Sequence, residues 1–354
     1  MFPASKQTIA IPTGETVREQ LKDRGMTQKE FAVRMGMSEK HISHLLNGRV
    51  ELTSNAALRL ESVLGIPASY WLNLEAIYRE KLARVEEETG LEEDAVLVSK
   101  FPYNEMAKLG WIPSTRRKMD RVRNLRSFFG VARLSSLEEL CLPGVVFRTT
   151  GSSDTNDYRL ACWAQKARRE ARTRQTGYVD IDHFTTLIPE VREMTILRPE
   201  EFCERLVAMF ADCGVALVFL PHIGGSFLHG ASFGDGAHIV MGLTVRGRDA
   251  DRFWFSLFHE MYHIIYGHIY EICDNHPTWE SEADRFAADI LIPPDKFRMF
   301  LERGCFTKGC IVEFAAAISV DPGIVVGRLQ KENMIPFSRH NDLKTKYEIS
   351  DEYP

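Results

Sequence analysis

The stretch Phe255-Ser256-Leu257-Phe258-His259-Glu260-Met261-Tyr262-His263 constrains this chain more tightly than any other. It sets H-E-x-x-H at the end of an apolar run with a helical period. On a helix, His259 and His263 are one turn apart and project from the same face, so both imidazoles can reach one metal ion. Glu260 then lies beside the ion rather than on it, where a carboxylate can take a proton from water. Without a metal, the same residues would be two histidines on an amphipathic helix, one packed and one solvated. The residues downstream weigh against that plainer reading.

From Trp279 to Pro293, the residues Ala283, Phe286, Ala287, Ile290 and Leu291 recur at helical spacing and predict a helix with one buried face. Pro293 and Pro294 end it. Glu280, Glu282 and Asp284 fall in its first turns. An open zinc site needs a third ligand, and two histidines with one glutamate form a catalytic set. Glu280 and Asp284 share a face at i, i+4. If Glu280 binds Zn2+, Asp284 can accept the outer N–H of a ligand histidine. Glu282 points ~160° away from Glu280, so only one of the two can be a ligand, and Glu280 is preferred. Acidic residues in a first turn also suit the helix dipole, which requires no metal.

His259-Glu260-x-x-His263 followed by Glu280-x-Glu282-Ala283-Asp284-x-Phe286-Ala287-Ala288-x-Ile290-Leu291-Ile292-Pro293 resembles the ImmA/IrrE metallopeptidase family. Its members are gluzincin-like proteases associated with cleavage of repressor proteins. The flanks resemble it too: Gly214 to Pro221, Gly230-Ala231, and a strand-like His238-Ile239-Val240-Met241 ahead of the helix. The resemblance runs from Leu197 to Tyr347. It implies an α+β zincin-like domain with Zn2+ on His259, His263 and Glu280, Asp284 behind the site, and Glu260 as catalytic base of an endopeptidase. The implied substrate is a repressor- or antitoxin-class protein, in trans or in this chain's own linker. Two positions depart from the family pattern. Gly267 stands where many members carry a third histidine, with His268 one residue late, and Tyr262 stands where a small residue is common. Neither is a proposed ligand, but both bear on the pocket wall. Tyr262, Tyr266, His222 and His268 are the candidates for stabilising an oxyanion.

At 354 residues the chain is too long for one small core and suggests two or three domains. Its 44% apolar and 26% charged residues are those of an ordinary globular protein. A net charge of −5 does not advertise nucleic-acid binding, although a local basic face is compatible with it. No stretch approaches the ~18 apolar residues needed to span a bilayer, and Met1 to Thr13 lacks the apolar core of a signal peptide. The seven cysteines are odd in number and lack C-x-x-C spacing. They are expected to be reduced thiols in a cytoplasmic protein.

Residues 15–75 read as short helices. Thr16 to Arg24 is closed by Gly25, Thr27-Gln28-Lys29-Glu30 is a capping box, and Gly36 ends the helix it opens. Ser38 caps a third helix that turns Ile42, Leu45 and Leu46 inward. Two helices joined by a short Gly-containing turn make a helix-turn-helix, with Ala32 small where they cross. The order of residues resembles the lambda-repressor-like (Xre) domain, through Met26 to Ala32 and Ser43 to Arg49. Thr53 to Leu74, with Tyr70-Trp71-Leu72-Asn73-Leu74, resembles the HigA antitoxin branch. The resemblance makes Gln28, Ser38, Lys40, His41, Ser43 and His44 the contacts to double-stranded operator DNA. With few cations near the helices, binding should need a homodimer.

The remainder is less legible. Ala76 to Leu91 predicts a charged connecting helix, and residues 76–195 form a helical linker or middle domain, with Trp163 and Phe128-Phe129 as core. Its two basic clusters, Arg116 to Arg126 and Lys166 to Arg174, read as solvated helix faces in preference to DNA contacts. Gly151 to Asp157 reads as a loop. Ile311 to Met334 predicts two helices around Pro322-Gly323 in a helix-turn-helix-like order, which the resemblance to ImmA/IrrE proteins implies carry the fold instead, and Phe337 to Pro354 a mobile or loosely docked end. The expected architecture is thus multidomain: an all-α helix-turn-helix domain (15–75), a helical middle region (76–195) and an α+β zincin-like domain (196–348). The functional expectation is a DNA-binding regulator fused to a zinc endopeptidase. The rival is a non-enzymatic HigA-like antitoxin or autorepressor whose C-terminal domain binds a partner or signal.

Overall fold

The computed structural model describes residues 2–138, 155–224, 229–244, 249–270 and 277–348. The chain divides into two compact units between Val96 and Leu97, where three regions were expected.

The smaller unit is helical throughout: α1 (Thr13–Asp23), α2 (Gln28–Met35), α3 (Glu39–Leu46), α4 (Ser54–Leu64) and α5 (Ala68–Leu97). The hydroxyls of Thr27, Ser38 and Thr53 accept from the N–H three residues on, at 3.2, 3.2 and 3.3 Å, which satisfies a donor that the first turn leaves free. The reciprocal half of the expected capping box is absent, because Glu30 turns to Arg34 at 2.6 Å instead. Gly36 and Gly65 end α2 and α4 in the left-handed conformation. α1 begins three residues before the expected start, and Gly14 explains how it fits: a Cβ there would lie 2.1 Å from the Leu46 carbonyl oxygen of α3.

Val17, Phe31, Met35, Ile42, Leu46, Leu60 and Trp71 fill the centre of this unit, each large side chain contributing roughly 1.5–3 kcal/mol on burial. One buried carboxylate, Glu75, ties three segments together. It accepts from the Thr13 hydroxyl at 2.8 Å, the Leu52 amide at 3.3 Å and Arg79 at 2.8 Å. The connecting helix expected from Ala76 is a continuation of α5, since no Gly or Pro interrupts the chain between Ala68 and Arg84.

The larger unit holds α6 (Tyr103–Lys108), α7 (Lys118–Phe129), α8 (Thr155–Ala171), α9 (Ile181–Thr186), α10 (Ile188–Glu193), α11 (Pro199–Asp212), β1 (Val215–Phe219), β2 (Gly230–Asp235), β3 (His238–Leu243), α12 (Ala250–Ile265), α13 (Pro277–Leu291), α14 (Pro294–Arg303), α15 (Lys308–Ala317) and α16 (Pro322–Lys331). Its sheet has the order β1-β3-β2, with β1 parallel and β2 antiparallel to β3. β1 is apolar almost throughout, as a strand covered on both faces must be. α8 packs on β1 and β3, α11 on β1, and α12 on β2 and β3.

The middle segment therefore belongs to the sheet's own unit. Tyr158, Ala161, Trp163, Ala164 and Ala167 are buried on α8, which packs on β1 and β3. Gly242 makes room for the indole, since a Cβ there would fall 2.5 Å from the Trp163 ring. Of the loop expected over Gly151 to Asp157, Gly151 to Asp154 lies outside the described residues and α8 starts at Thr155.

α15 and α16 form as predicted and turn Ile311, Ala315, Ile324, Val325 and Leu329 into the core. Of the expected loosely docked end, residues 349–354 lie outside the described residues, and the part up to residue 348 departs from expectation in being docked. Tyr347 is buried against Phe202, Phe253 and Trp254 and accepts from the Trp254 indole at 3.1 Å. Lys344 pairs with Asp251 at 2.8 Å, both side chains buried. Apolar burial and two ion pairs, the second being Lys346 with Asp249, hold a segment that its polar sequence left undecided. The cysteines also depart from expectation. Cys305 and Cys310 form a disulfide, because the turn at Gly304 between α14 and α15 brings together two residues whose spacing is not C-x-x-C. Cys162, Cys203 and Cys213 are free thiols. No single described helix is long and apolar enough to cross a membrane.

Candidate metal centre

The site is built on α12 and α13, which pack side by side. The run Phe253, Trp254, Leu257, Phe258 and Met261 anchors α12 in the core, which fixes the rotation of the helix and hence the direction of the histidines. Arg192 holds the far end of α13 by donating to the carbonyls of Ile290 at 2.7 Å and Leu291 at 3.2 Å. Those are C-terminal carbonyls without an intrahelical partner.

With both helices set, His259, His263 and Glu280 bring one ligand atom each within 4.8 Å of the others. The Nε2 atoms of His259 and His263 are 3.1 Å apart, and the Glu280 carboxylate lies 3.2 Å from the first and 3.5 Å from the second. Zinc bonds of ~2.0–2.1 Å in a tetrahedron imply ligand–ligand edges of about 3.3 Å. The separation of the two imidazole nitrogens is close to that value, the Glu280 carboxylate approaches one nitrogen through Oε2 and the other through Oε1, and a donor set of two imidazoles and a carboxylate suits zinc, so the residues fit the ion. Glu282 is drawn away from the site, accepting from the Tyr262 hydroxyl at 2.9 Å.

The outer nitrogens of both imidazoles are also held. His259 Nδ1 meets Asp284 at 3.1 Å, as the sequence implied, and Lys331 of α16 approaches that carboxylate at 3.7 Å. His263 Nδ1 meets His268 Nδ1 at 3.1 Å, and His268 lies flat on Trp279 with ring centroids 4.2 Å apart. Such partners fix the ring orientation of a metal-binding histidine.

Glu260 lies beside these ligands in a buried niche under β2 and lines the same cavity. Gly230 creates the niche, because a Cβ at that position would lie 2.9 Å from Glu260 Cγ. Burial pushes the Glu260 carboxyl up to about 7, against the lowering influence of His259 and the Ser232 hydroxyl. Burial pushes His259 down, but hydrogen bonds to Asp284 and Glu280 and the charge of Glu260 outweigh it and carry the imidazole up to about 10. His263 is lowered, by burial and then by the charge on His259. Glu280 and Asp284 are held below the usual carboxylate range, chiefly by their hydrogen bonds with His259.

A cavity of about 930 Å³ opens over these groups, lined among others by Gly230, Ser232, Phe255, Trp279, Arg328 and Lys331. Of the four oxyanion candidates only His268 lines it. Tyr262 stacks on Tyr266 at 4.4 Å and His222 follows β1, so the unusual Tyr262 leaves the cavity wall untouched. Sequence reasoning gave Gly230 only as part of a family-like flank and Trp279 only as the start of a helix, and it assigned no role to those two, to Ser232 or to Lys331. Three of them come from β2 and α16, and nothing local to H-E-x-x-H points to either element.

In the smaller unit, Gln28 opens α2, while Lys40, His41, Ser43 and His44 lie on α3. Gln28, Ser38, Lys40 and His41 are exposed, and Ser43 and His44 half-buried. Lys40, His41 and His44 share one face of α3 at i, i+1 and i+4. The Ser38 hydroxyl accepts one bond as the cap of α3, which leaves its O–H and a second lone pair for other partners. Two helices, a glycine turn and a polar outward face match a known pattern: the helix-turn-helix family matches residues 17–71.

The chain belongs to the helix-turn-helix family. It is similar to virulence-associated protein I of Dichelobacter nodosus, 32% identical over 90 residues that make up 83% of that protein and 25% of this chain. It is similar to antitoxin HigA-1 of Vibrio cholerae serotype O1, 36% identical over 66 residues, 62% of that protein and 18% of this chain. The uncharacterized HTH-type transcriptional regulator YddM of Escherichia coli K12 is 34% identical over 62 residues, 66% of that protein and 18% of this chain. The chain thus spans less than two thirds of the latter two relatives. Its smaller unit is a DNA-binding helix-turn-helix domain of the transcription-regulator type.

Proposed function

We propose that this chain is a DNA-binding regulator that carries a zinc-dependent endopeptidase acting on a repressor- or antitoxin-class protein. One observation carries the reading: two imidazoles and a carboxylate bring one ligand atom each within 4.8 Å of one another while an adjacent buried carboxylate, Glu260, stays outside that set. His259, His263 and Glu280 would hold Zn2+. Zinc there supplies a Lewis acid that polarises a peptide carbonyl and makes water a better nucleophile at neutral pH. Glu260 takes the proton of the attacking water and passes it to the departing amine. Burial raises its affinity for a proton, which suits a group that must take one up and give it back. Asp284 and His268 hold the imidazoles by their outer nitrogens. The junction between the two units lies within α5, which would have to unwind to enter the cavity, so we place the substrate in trans.

The test is Glu260→Gln. Proton shuttling is commonly worth ~10²–10⁴-fold, so the variant should lose cleavage of candidate repressors while keeping one zinc per chain and full operator binding. Glu280→Gln should lower zinc content. A wild type without stoichiometric zinc removes the metal assignment. The similarity to antitoxin HigA-1 favours a second reading, a non-enzymatic autorepressor whose larger unit binds a partner. Equal inertness of wild type and Glu260→Gln, with operator control intact, would select it.

A further inference from the structure

As strings of charge, Arg116 to Arg126 and Lys166 to Arg174 look alike, but folding separates them. In the second cluster Asp235 receives Arg172 at 2.7 Å and Arg168 at 3.4 Å, and Lys166 pairs with Glu170. Three of that cluster's cations are thus engaged by carboxylates, where the sequence suggested a solvated face. In the first, Arg121 donates to the Thr115 carbonyl and Asn104, Arg123 pairs with Asp120, and Arg126 is buried. Arg116, Arg117 and Lys118 remain exposed, and among the described residues no carboxylate meets them. From Lys100 to Arg133 the chain has nine basic residues and two acidic ones. One of the two acids, Glu105, is already committed to the Gly224 amide and Arg159. These cations do not serve their helix either, because positive charge at the start of α7 opposes the helix dipole.

The smaller unit has the converse problem. Residues 1–96 carry twelve basic and fifteen acidic side chains, and Arg18, Arg34, Arg79 and Arg84 are paired with glutamates. A helix-turn-helix draws most of its affinity from phosphate contacts, and a unit of net negative charge supplies few.

We propose that the exposed Arg116-Arg117-Lys118 edge of the larger unit binds the phosphodiester backbone of duplex DNA, as a sequence-blind second contact of the same chain. Because the two units are covalently joined, engagement of one raises the effective concentration of the other at the same duplex. The reading of operator bases stays with α3; the edge adds salt-sensitive affinity that is alike on every sequence.

The experiment uses the full chain, with duplex binding measured across a KCl series for wild type and for R116A/R117A/K118A. All three residues are exposed, and circular dichroism checks that the variant is folded. The plot of log affinity against log salt should become less steep by about 2.7, three phosphates at roughly 0.9 each, by the same amount on operator and unrelated duplexes. R116K/R117K keeps the charge and should keep the slope. K40A/H41A should relax operator preference yet retain the part of the slope owed to the edge. Parallel lines for wild type and the triple variant overturn the proposal. So does a loss confined to operator DNA, or a triple variant that binds duplex normally but no longer binds single-stranded RNA or phosphatidylserine vesicles.

Discussion

At the scale of single residues, the centre depends on what one side chain lacks and what another supplies. Gly230 lacks a Cβ where Glu260 needs the space. Gly230→Ala should cost about 1–3 kcal/mol and reduce cleavage while zinc content holds, as thermal melts and metal analysis would report; a variant with wild-type stability and activity contradicts the close fit. His268 supplies a partner for His263 Nδ1. His268→Ala should weaken zinc binding by roughly 10–100-fold in a chelator competition, and His268→Asn should restore part of it. Unchanged affinity would leave His268 a bystander. His259, His263, Glu280 and Asp284 were legible in sequence because they sit at fixed spacings on two strongly periodic helices. Gly230 and Ser232 were not, since strand pairing brings β2 over Glu260 and no local pattern encodes that.

At the scale of elements, ion pairs decide which segments dock. Asp235 at the end of β2 is held below the usual carboxylate range, first by its hydrogen bond from Arg172, so its ionised form is favoured by folding. That stabilisation is present above the unfolded carboxylate pKa and fades as pH falls through the lower folded value. Asp235→Asn should therefore lower the melting temperature at pH 7, with the gap to wild type narrowing in strongly acidic buffer; a gap independent of pH would place the effect in packing. The chain's last docked segment rests on one aromatic anchor, and Tyr347→Ala should cost about 3–5 kcal/mol by calorimetry. The periods of α12 and α13 could be read directly. The docking of residues 337–348 could not, because a polar stretch becomes ordered through partners such as Asp249 and Asp251 that lie far back in the sequence.

At the scale of the whole molecule, two units with separate cores should respond separately to a ligand of one. Zinc at 100-fold its dissociation constant should stabilise the unit that binds it by about 2.7 kcal/mol. Calorimetry with zinc and then with chelator should move the transition of the larger unit and leave that of the smaller one in place; a joint shift would mean that the units unfold as one. The position of Tyr347 in the larger core also sets an order of events on the ribosome. The helix-turn-helix unit has all its core residues by Val96 and can fold while the rest is still being made. The core that carries His259 and Glu260 stays open until Tyr347 emerges, after every other residue in it. A nascent chain thus acquires the fold that meets DNA well before the residues of the proposed metal centre can be brought together, and a polypeptide arrested between the two would hold the first without the second.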